Sequence, residues 1–402
     1  MDARPLRSGP FRWFFAGWSI SMAGSAMAPV ALAFGVLELT NSARWLSAVL
    51  TASTVPMIAM MIIGGGIADR YRRDIVLALA GLGAGVSQAG VAFVLLTHQD
   101  PVFLLPLAAL NGIFQALTTP TMRGIVPQLA AGRGIQVANS LLASSRNLAR
   151  MIGPAAAGFL TVAVGGGWAI AADAASFLLA AACFGRMLLP ARPARAEGAP
   201  SMLAELREGW SYFSSNSWIW SVTLAFAVLN AVSVGIWQIL GPVIAADTIG
   251  PEGWGLVLSA RAVGALLATV AMVKLTVRRP MIRALTLMTL PAVPLVLIGT
   301  GANIFWLAAA AFAAGVAAEF FTVVWSTVCH QQIPERLLSR VGAWDEFGSF
   351  ASIPIGQLSI PLLAAAFGTA AVAVTGGGLL AVAMLLPLLL PSLRRIEFST
   401  ER

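Results

Sequence analysis

The sequence predicts an all-α membrane protein of twelve transmembrane helices, arranged as two six-helix pseudo-repeats. Three observations predict it. Of 402 residues, 58% are hydrophobic and only 10% are charged, against about 25% charged in a soluble domain. The apolar residues fall in blocks of about 20, the length that crosses a bilayer as a helix. The basic residues stand between the blocks, concentrated in every other loop. With a mean hydropathy of +0.84, a soluble chain of this size could not keep so much apolar surface from water. Composition therefore excludes a soluble enzyme, a disordered chain and a secreted disulfide scaffold. Cys183 and Cys329 are the only cysteines, and neither has a CxxC partner.

Breaks at Pro, Gly and charged residues divide the chain into spans at about 13–37, 45–67, 75–97, 102–122, 137–163 and 168–189. A second set follows at about 218–241, 254–274, 282–299, 304–327, 341–366 and 369–390. Ala31-Leu32-Ala33 resembles a signal-peptidase site. The apolar run continues to Leu37 and eleven spans follow, so the first span is expected to be retained. None of the blocks alternates with period two, which argues against strands and a β-barrel.

Orientation follows from the basic residues. With the N-terminus inside, every Arg and the single Lys274 fall in inside segments, save Arg44 outside and Arg146, Arg150 and Arg261 within spans. This asymmetry predicts two cytoplasmic termini. Residues 190–217 form the longest polar stretch and open with Pro190, Arg192, Pro193 and Arg195, a linker composition. Leu203, Leu206, Trp210 and Phe213 then recur at helical spacing. Two readings remain open there: an amphipathic helix on the cytoplasmic membrane face, or a solvated connector. The expected division is an N-terminal half at 1–189, a linker at 190–217 and a C-terminal half at 218–402. Gly153-Pro154 in the fifth span is answered by Pro354-Ile355-Gly356 in the eleventh. Two six-span repeats joined centrally describe a secondary transporter in which one half rocks against the other.

The loop after the second span reads Gly65-Gly66-Ile67-Ala68-Asp69-Arg70-Tyr71-Arg72-Arg73. It resembles the cytoplasmic signature of the major facilitator superfamily, closest to its bacterial siderophore and macrolide exporters. Ala138-Asn139-Ser140, Arg150 with Gly153-Pro154, and Asp173 before Ser176-Phe177 support that branch. The chain departs from the signature at Asp74, where the family continues the basic cluster. The resemblance implies a cytoplasmic gate of Gly65, Asp69, Arg70 and Arg73, with Asp345 at the start of the eleventh span. Gly65 permits close helix approach, and an anion at a helix N-terminus is favoured by the dipole. Topology alone would also account for a basic loop. Arg150, Gly153, Pro154 and Gly158 resemble an antiporter motif with Ala157 in place of its first paired glycine. An ordinary Pro-kinked span is the alternative.

Ionisable groups inside a bilayer are costly, so each is a functional candidate. Glu319 lies well inside the tenth span. The resemblance puts the first, fourth, seventh and tenth spans on the transport path, making Glu319 the first candidate for proton coupling or for recognition of a cationic substrate. Glu38 and Asp173 are further proton-coupling candidates, with a structural role the stronger expectation for Asp173. Arg146 and Arg150 share a helix face and could clamp an anion or pair with Asp345 and Glu346. Arg261 is a candidate partner for an embedded carboxylate. Substrate-contacting candidates are Asn111, Gln115, Asn230, Trp237, Gln238, Glu319 and Trp325. Sparse polar groups on an apolar lining suit a bulky amphipathic ligand, although helix-to-helix hydrogen bonding would explain some of them.

No Walker-type loop and no nucleophile signature are present. His98 and His330 lack metal-ligand spacing. The expectation is therefore no enzyme activity, no cofactor, no metal and no nucleic acid. The expected partners are a small-molecule substrate, protons and membrane lipids. The oligomeric state is open, with a monomer as the working expectation. The implied function is a proton-coupled antiporter in the cell inner membrane. It would export a drug, siderophore or secondary metabolite by alternating access. An importer or facilitator of an organic anion in the same fold is the alternative.

Overall fold

A computed structural model of the chain describes residues 5–70, 72–130, 133–187, 189, 202–272 and 279–396. Within these helices the side chains of 61–70, 119–120, 123–124, 133 and 202–205 lie outside the description. The helices are α1 (Gly9–Thr40), α2 (Ala43–Arg70), α3 (Arg73–Leu96), α4 (Leu104–Leu129), α5 (Arg133–Val164), α6 (Gly166–Gly185), α7 (Met202–Ser215), α8 (Ser217–Gly235), α9 (Gly241–Thr248) and α10 (Gly250–Met272). They continue as α11 (Pro280–Leu287), α12 (Ala292–Gly299), α13 (Ile304–Gln332), α14 (Glu335–Phe350), α15 (Ile353–Phe367), α16 (Thr369–Leu385) and a short α17 (Pro391–Arg394). No strand occurs among the described residues. Backbone polar groups in lipid must be satisfied internally, and helices do this within one segment.

Eleven helical segments among the described residues are long and apolar enough to cross a membrane. Helix α2 occupies the position of the remaining expected span. Large apolar side chains face outward, among them Phe93 at 61% and Phe367 at 71% exposure. Lipid, rather than water, is the solvent these surfaces suit.

Three spans are less regular than their apolar runs suggest, each beside a proline. Span 217–248 contains a π-helical turn, Ile236–Leu240, between α8 and α9. Pro242 has no N–H for the next turn, and its ring crowds the carbonyl of Gln238. Span 280–299 is split into α11 and α12 just ahead of Ala292, with Pro291 capping α12. Span 335–367 is split at Ala351-Ser352, before Pro354, which has no N–H to bond the Phe350 carbonyl. Gly165, at φ +92°, makes the sharp turn between α5 and α6, a conformation a side chain would resist.

The described residues cluster into two compact units. One comprises residues 1–194 with 245–259, and the other residues 195–244 with 260–402. In the first, α1 packs on α5 and α6, α3 on α6, and α4 on α2 and α3. Phe11, Phe14, Leu77, Ile125 and Phe184 form one of its cores. In the second, α8 packs on α14, α15 and α16, and α12 on α13 and α16.

Helix α7 rests partly on protein: Phe213 is buried with Ile219, Ile333, Leu337 and Val341, while the Trp210 ring, itself exposed, meets Trp344 at 4.8 Å. The Trp344 indole N–H donates to the Leu206 carbonyl at 2.9 Å. Glu208 accepts from Arg336 at 2.6 Å and also from Arg340.

Candidate transport site

The signature loop is described only in part. The side chains of Gly65, Asp69 and Arg70 lie outside the described residues, so their gate role stands as an expectation. Arg73, three residues beyond Arg70, is partly buried. The family departure at Asp74 has a local account. Its carboxylate is 4% exposed and accepts from Arg72 at 2.7 Å and from the Leu189 backbone N–H at 3.2 Å. A basic residue at 74 could not accept either bond, so the acid ties the start of α3 to the chain after α6.

The antiporter-like stretch sits at two close helix contacts of the first unit. A Cβ on Gly153 would meet Ala26 of α1, and one on Gly158 would strike the Pro251 carbonyl. From the other side, a Cβ on Gly255 would strike the Pro154 carbonyl. The Ala155 N–H donates to Ser259 Oγ at 3.2 Å. Small residues here let backbones approach and hydrogen-bond directly. Arg150 is exposed on the same helix.

The three proton-coupling candidates stand in different surroundings. Glu38, at the end of α1, accepts the Gly166 N–H at 3.2 Å, so its charge meets the N-terminus of α6. Asp173 is fully buried. Gln88 of α3 donates to its Oδ2 at 2.7 Å, while Oδ1 has no hydrogen-bond partner among the described residues. A Cβ on Gly24 would lie 2.7 Å from that Oδ1, so α1 closes over the carboxyl. Glu319 is half-buried on α13 and makes no ion pair or side-chain hydrogen bond among the described residues.

The neutral candidates divide by unit. Asn111 is buried and donates to Ser87 Oγ at 3.4 Å, while Gln115 donates to Asn111 Oδ1 at 2.5 Å. Asn111 thus serves the α3–α4 contact, while the exposed Gln115 bonds it from within α4. In the second unit Asn230 donates to the Ser349 carbonyl at 2.9 Å, joining α8 to α14. Trp237 and Gln238 both lie in the π-helical turn, Trp237 buried and Gln238 exposed. Trp237 lines a narrow cavity of about 20 Å³ with Ser233, Arg261, Pro294 and Ala311, room for about one water. Arg261 has no carboxylate partner among the described residues, so the pairing expected for it is not seen there.

Asp345 and Trp325 are brought together. Trp325 Nε1–H donates to Asp345 Oδ2 at 3.0 Å, and the Thr223 hydroxyl donates to Oδ1 at 2.5 Å. Asp345 thus binds neutral donors on α13 and α8. Thr223 was missed by sequence reasoning. It lies 122 positions from Asp345 and looks like any threonine in an apolar span. Only the exclusion of all other partners for a carboxylate in that span could have raised it.

Two helical units with isolated ionisable groups inside apolar spans, and helix contacts made by glycines, define a membrane transporter. The chain matches the transmembrane secretion effector model of the major facilitator superfamily over residues 2–399 and belongs to that family. It is 26% identical to the multidrug efflux pump Tap of Mycolicibacterium fortuitum, over 94% of this chain and 95% of that protein. It is 25% identical to the enterobactin exporter EntS of Citrobacter koseri, over 98% of this chain and 94% of that protein. Its fold is similar to that of the nucleoside transporter NupG, with a TM-score of 0.75 at 12% identity, covering 97% of this chain and all of that one.

Proposed function

We propose that the protein is a secondary active exporter of small amphipathic molecules, driven by proton antiport through alternating access. It acts in the bacterial inner membrane with both termini in the cytoplasm. Export is supported by the two relatives, a multidrug pump and a siderophore exporter, each similar over nearly its whole length. The observation that carries coupling is Glu319, a half-buried carboxyl inside a span with no cation beside it among the described residues. Such a group can exchange a proton for a cationic substrate group, because poorly solvated surroundings favour whichever state is neutral. The loop at residues 65–73 serves as the cytoplasmic latch.

The test uses everted vesicles energised by respiration, with ethidium as the probe. Ethidium is expected to release protons from wild-type vesicles, and Glu319→Gln to abolish that release while leaving thermal stability intact. Equal proton release from both proteins refutes the role of Glu319. No release across a broad panel of lipophilic compounds refutes antiport.

Arg261 favours a second reading, transport of an organic anion. An arginine cannot shed its charge, so a cation inside a span calls for an anionic group. Uptake of a carboxylate substrate down its own gradient, unaffected by an uncoupler and lost in Arg261→Gln, would select this reading.

A further inference from the structure

We propose that Asp345 is a second proton-binding site, built so that its hydrogen bonds are satisfied with and without the proton. The inference rests on the antiport reading only for its use in transport. The Thr223 hydroxyl has one hydrogen and two acceptors in reach: Asp345 Oδ1 at 2.5 Å and the Ile219 carbonyl at 3.1 Å. With Asp345 ionised, that hydrogen points to Oδ1. When a proton from water binds Oδ1, the new O–H donates to Thr223 Oγ1, and the threonine hydrogen turns to the Ile219 carbonyl. The Trp325 N–H stays on Oδ2 throughout. No polar atom is stranded in either state, which removes the usual penalty of a buried group changing charge.

The surroundings fit this role. Trp325 is stacked on Phe321 at 5.9 Å and met edge-on by Trp218 at 5.6 Å, so one side of the carboxyl is walled by aromatic rings. The titratable neighbours are Glu346 on α14 and the Cys329 thiol on α13, while α8 carries no ionisable residue. Helix α7 contributes Glu208, already bound by Arg336 and Arg340. Within the second unit no ion pair to Asp345 occurs among the described residues. Protonation exchanges a charge-assisted bond for a neutral one of roughly half its strength. It therefore loosens the tie that holds α8 and α13 to α14, and couples proton uptake to helix movement.

The test is infrared difference spectroscopy of the purified full-length protein in nanodiscs, titrated with pH. Wild type is expected to show a protonated-carboxyl band that Asp345→Asn lacks. Thr223→Val is expected to displace its midpoint by about one pH unit, and Thr223→Ser to keep it. If Asp345→Asn does not fold, the Thr223 pair decides. A band unchanged in Asp345→Asn, or equal midpoints in both Thr223 variants, overturns the proposal. In liposomes with ethidium, wild type that moves no protons refutes antiport alone, leaving the titration to stand. Proton movement equal in wild type and Asp345→Asn overturns the part of Asp345 in transport.

Discussion

Gly315 offers the sharpest test of how the second unit packs. A Cβ built there would strike the Arg261 carbonyl and lie 2.9 Å from its carbon and 3.1 Å from the Ala265 nitrogen. Reciprocally, a Cβ on Gly264 would strike the Phe312 carbonyl and lie 2.9 Å from its carbon. These obstacles are helix backbone, which cannot step aside singly. Ordinary carbon contacts need about 3.5–4.0 Å, so Gly315→Ala must push α10 and α13 apart by roughly 1 Å. A gap of that size forfeits about a quarter to a half of each contact's attraction along the crossing. Overpacking of this kind costs about 1–3 kcal/mol. Gly378→Ala is the internal control, since its Cβ meets nothing within 4 Å. There alanine is expected to stabilise the helix by up to about 1 kcal/mol. The assay is thermal unfolding of both variants in one detergent. Gly315→Ala should unfold well below wild type and Gly378→Ala at or above it. Equal stability of the two alanine variants would refute the close-packing argument. The double variant with Gly264→Ala should cost less than the two single losses added, because one separation relieves both clashes.

Other outcomes follow from the same structure. Asp74→Ala strands the Leu189 N–H and should cost about 1–3 kcal/mol, read as a lower midpoint in thermal unfolding. Asp173→Asn keeps an oxygen for Gln88 and should transport like wild type, whereas loss of proton movement in this variant would return Asp173 to the coupling scheme. On α7, Phe213→Ala should cost about 3 kcal/mol or more. Glu208→Gln should cost about 1 kcal/mol or less, because its ion pairs are half-exposed. Hydrogen exchange along α7 would rank the two, and the reverse order would show that charge rather than packing holds the helix.

The spans were legible because each needs about 20 apolar residues in a row, which is a local property. Their internal breaks were less so. The split before Ala292 and the π-helical turn before Pro242 depend on how neighbours compensate a missing N–H, which hydropathy does not encode. In the site, Glu319 and Asp345 stood out as charges in apolar runs. Their surroundings did not, because partners come from other helices. Gln88 is 85 positions from Asp173, and Gly166 is 128 positions from Glu38. Arg261 was readable as an isolated cation, yet the pairing expected for it depended on a helix register that patterning leaves free.

The docking of α7 has a consequence for watching the transporter work. Because Phe213, Trp210 and Glu208 fasten this short helix to α14, it is carried along whenever the segment bearing Asp345 shifts. A dye on the exposed Ser214 would then act as a pointer on a dial, displaying outside the bilayer a rearrangement that begins within it.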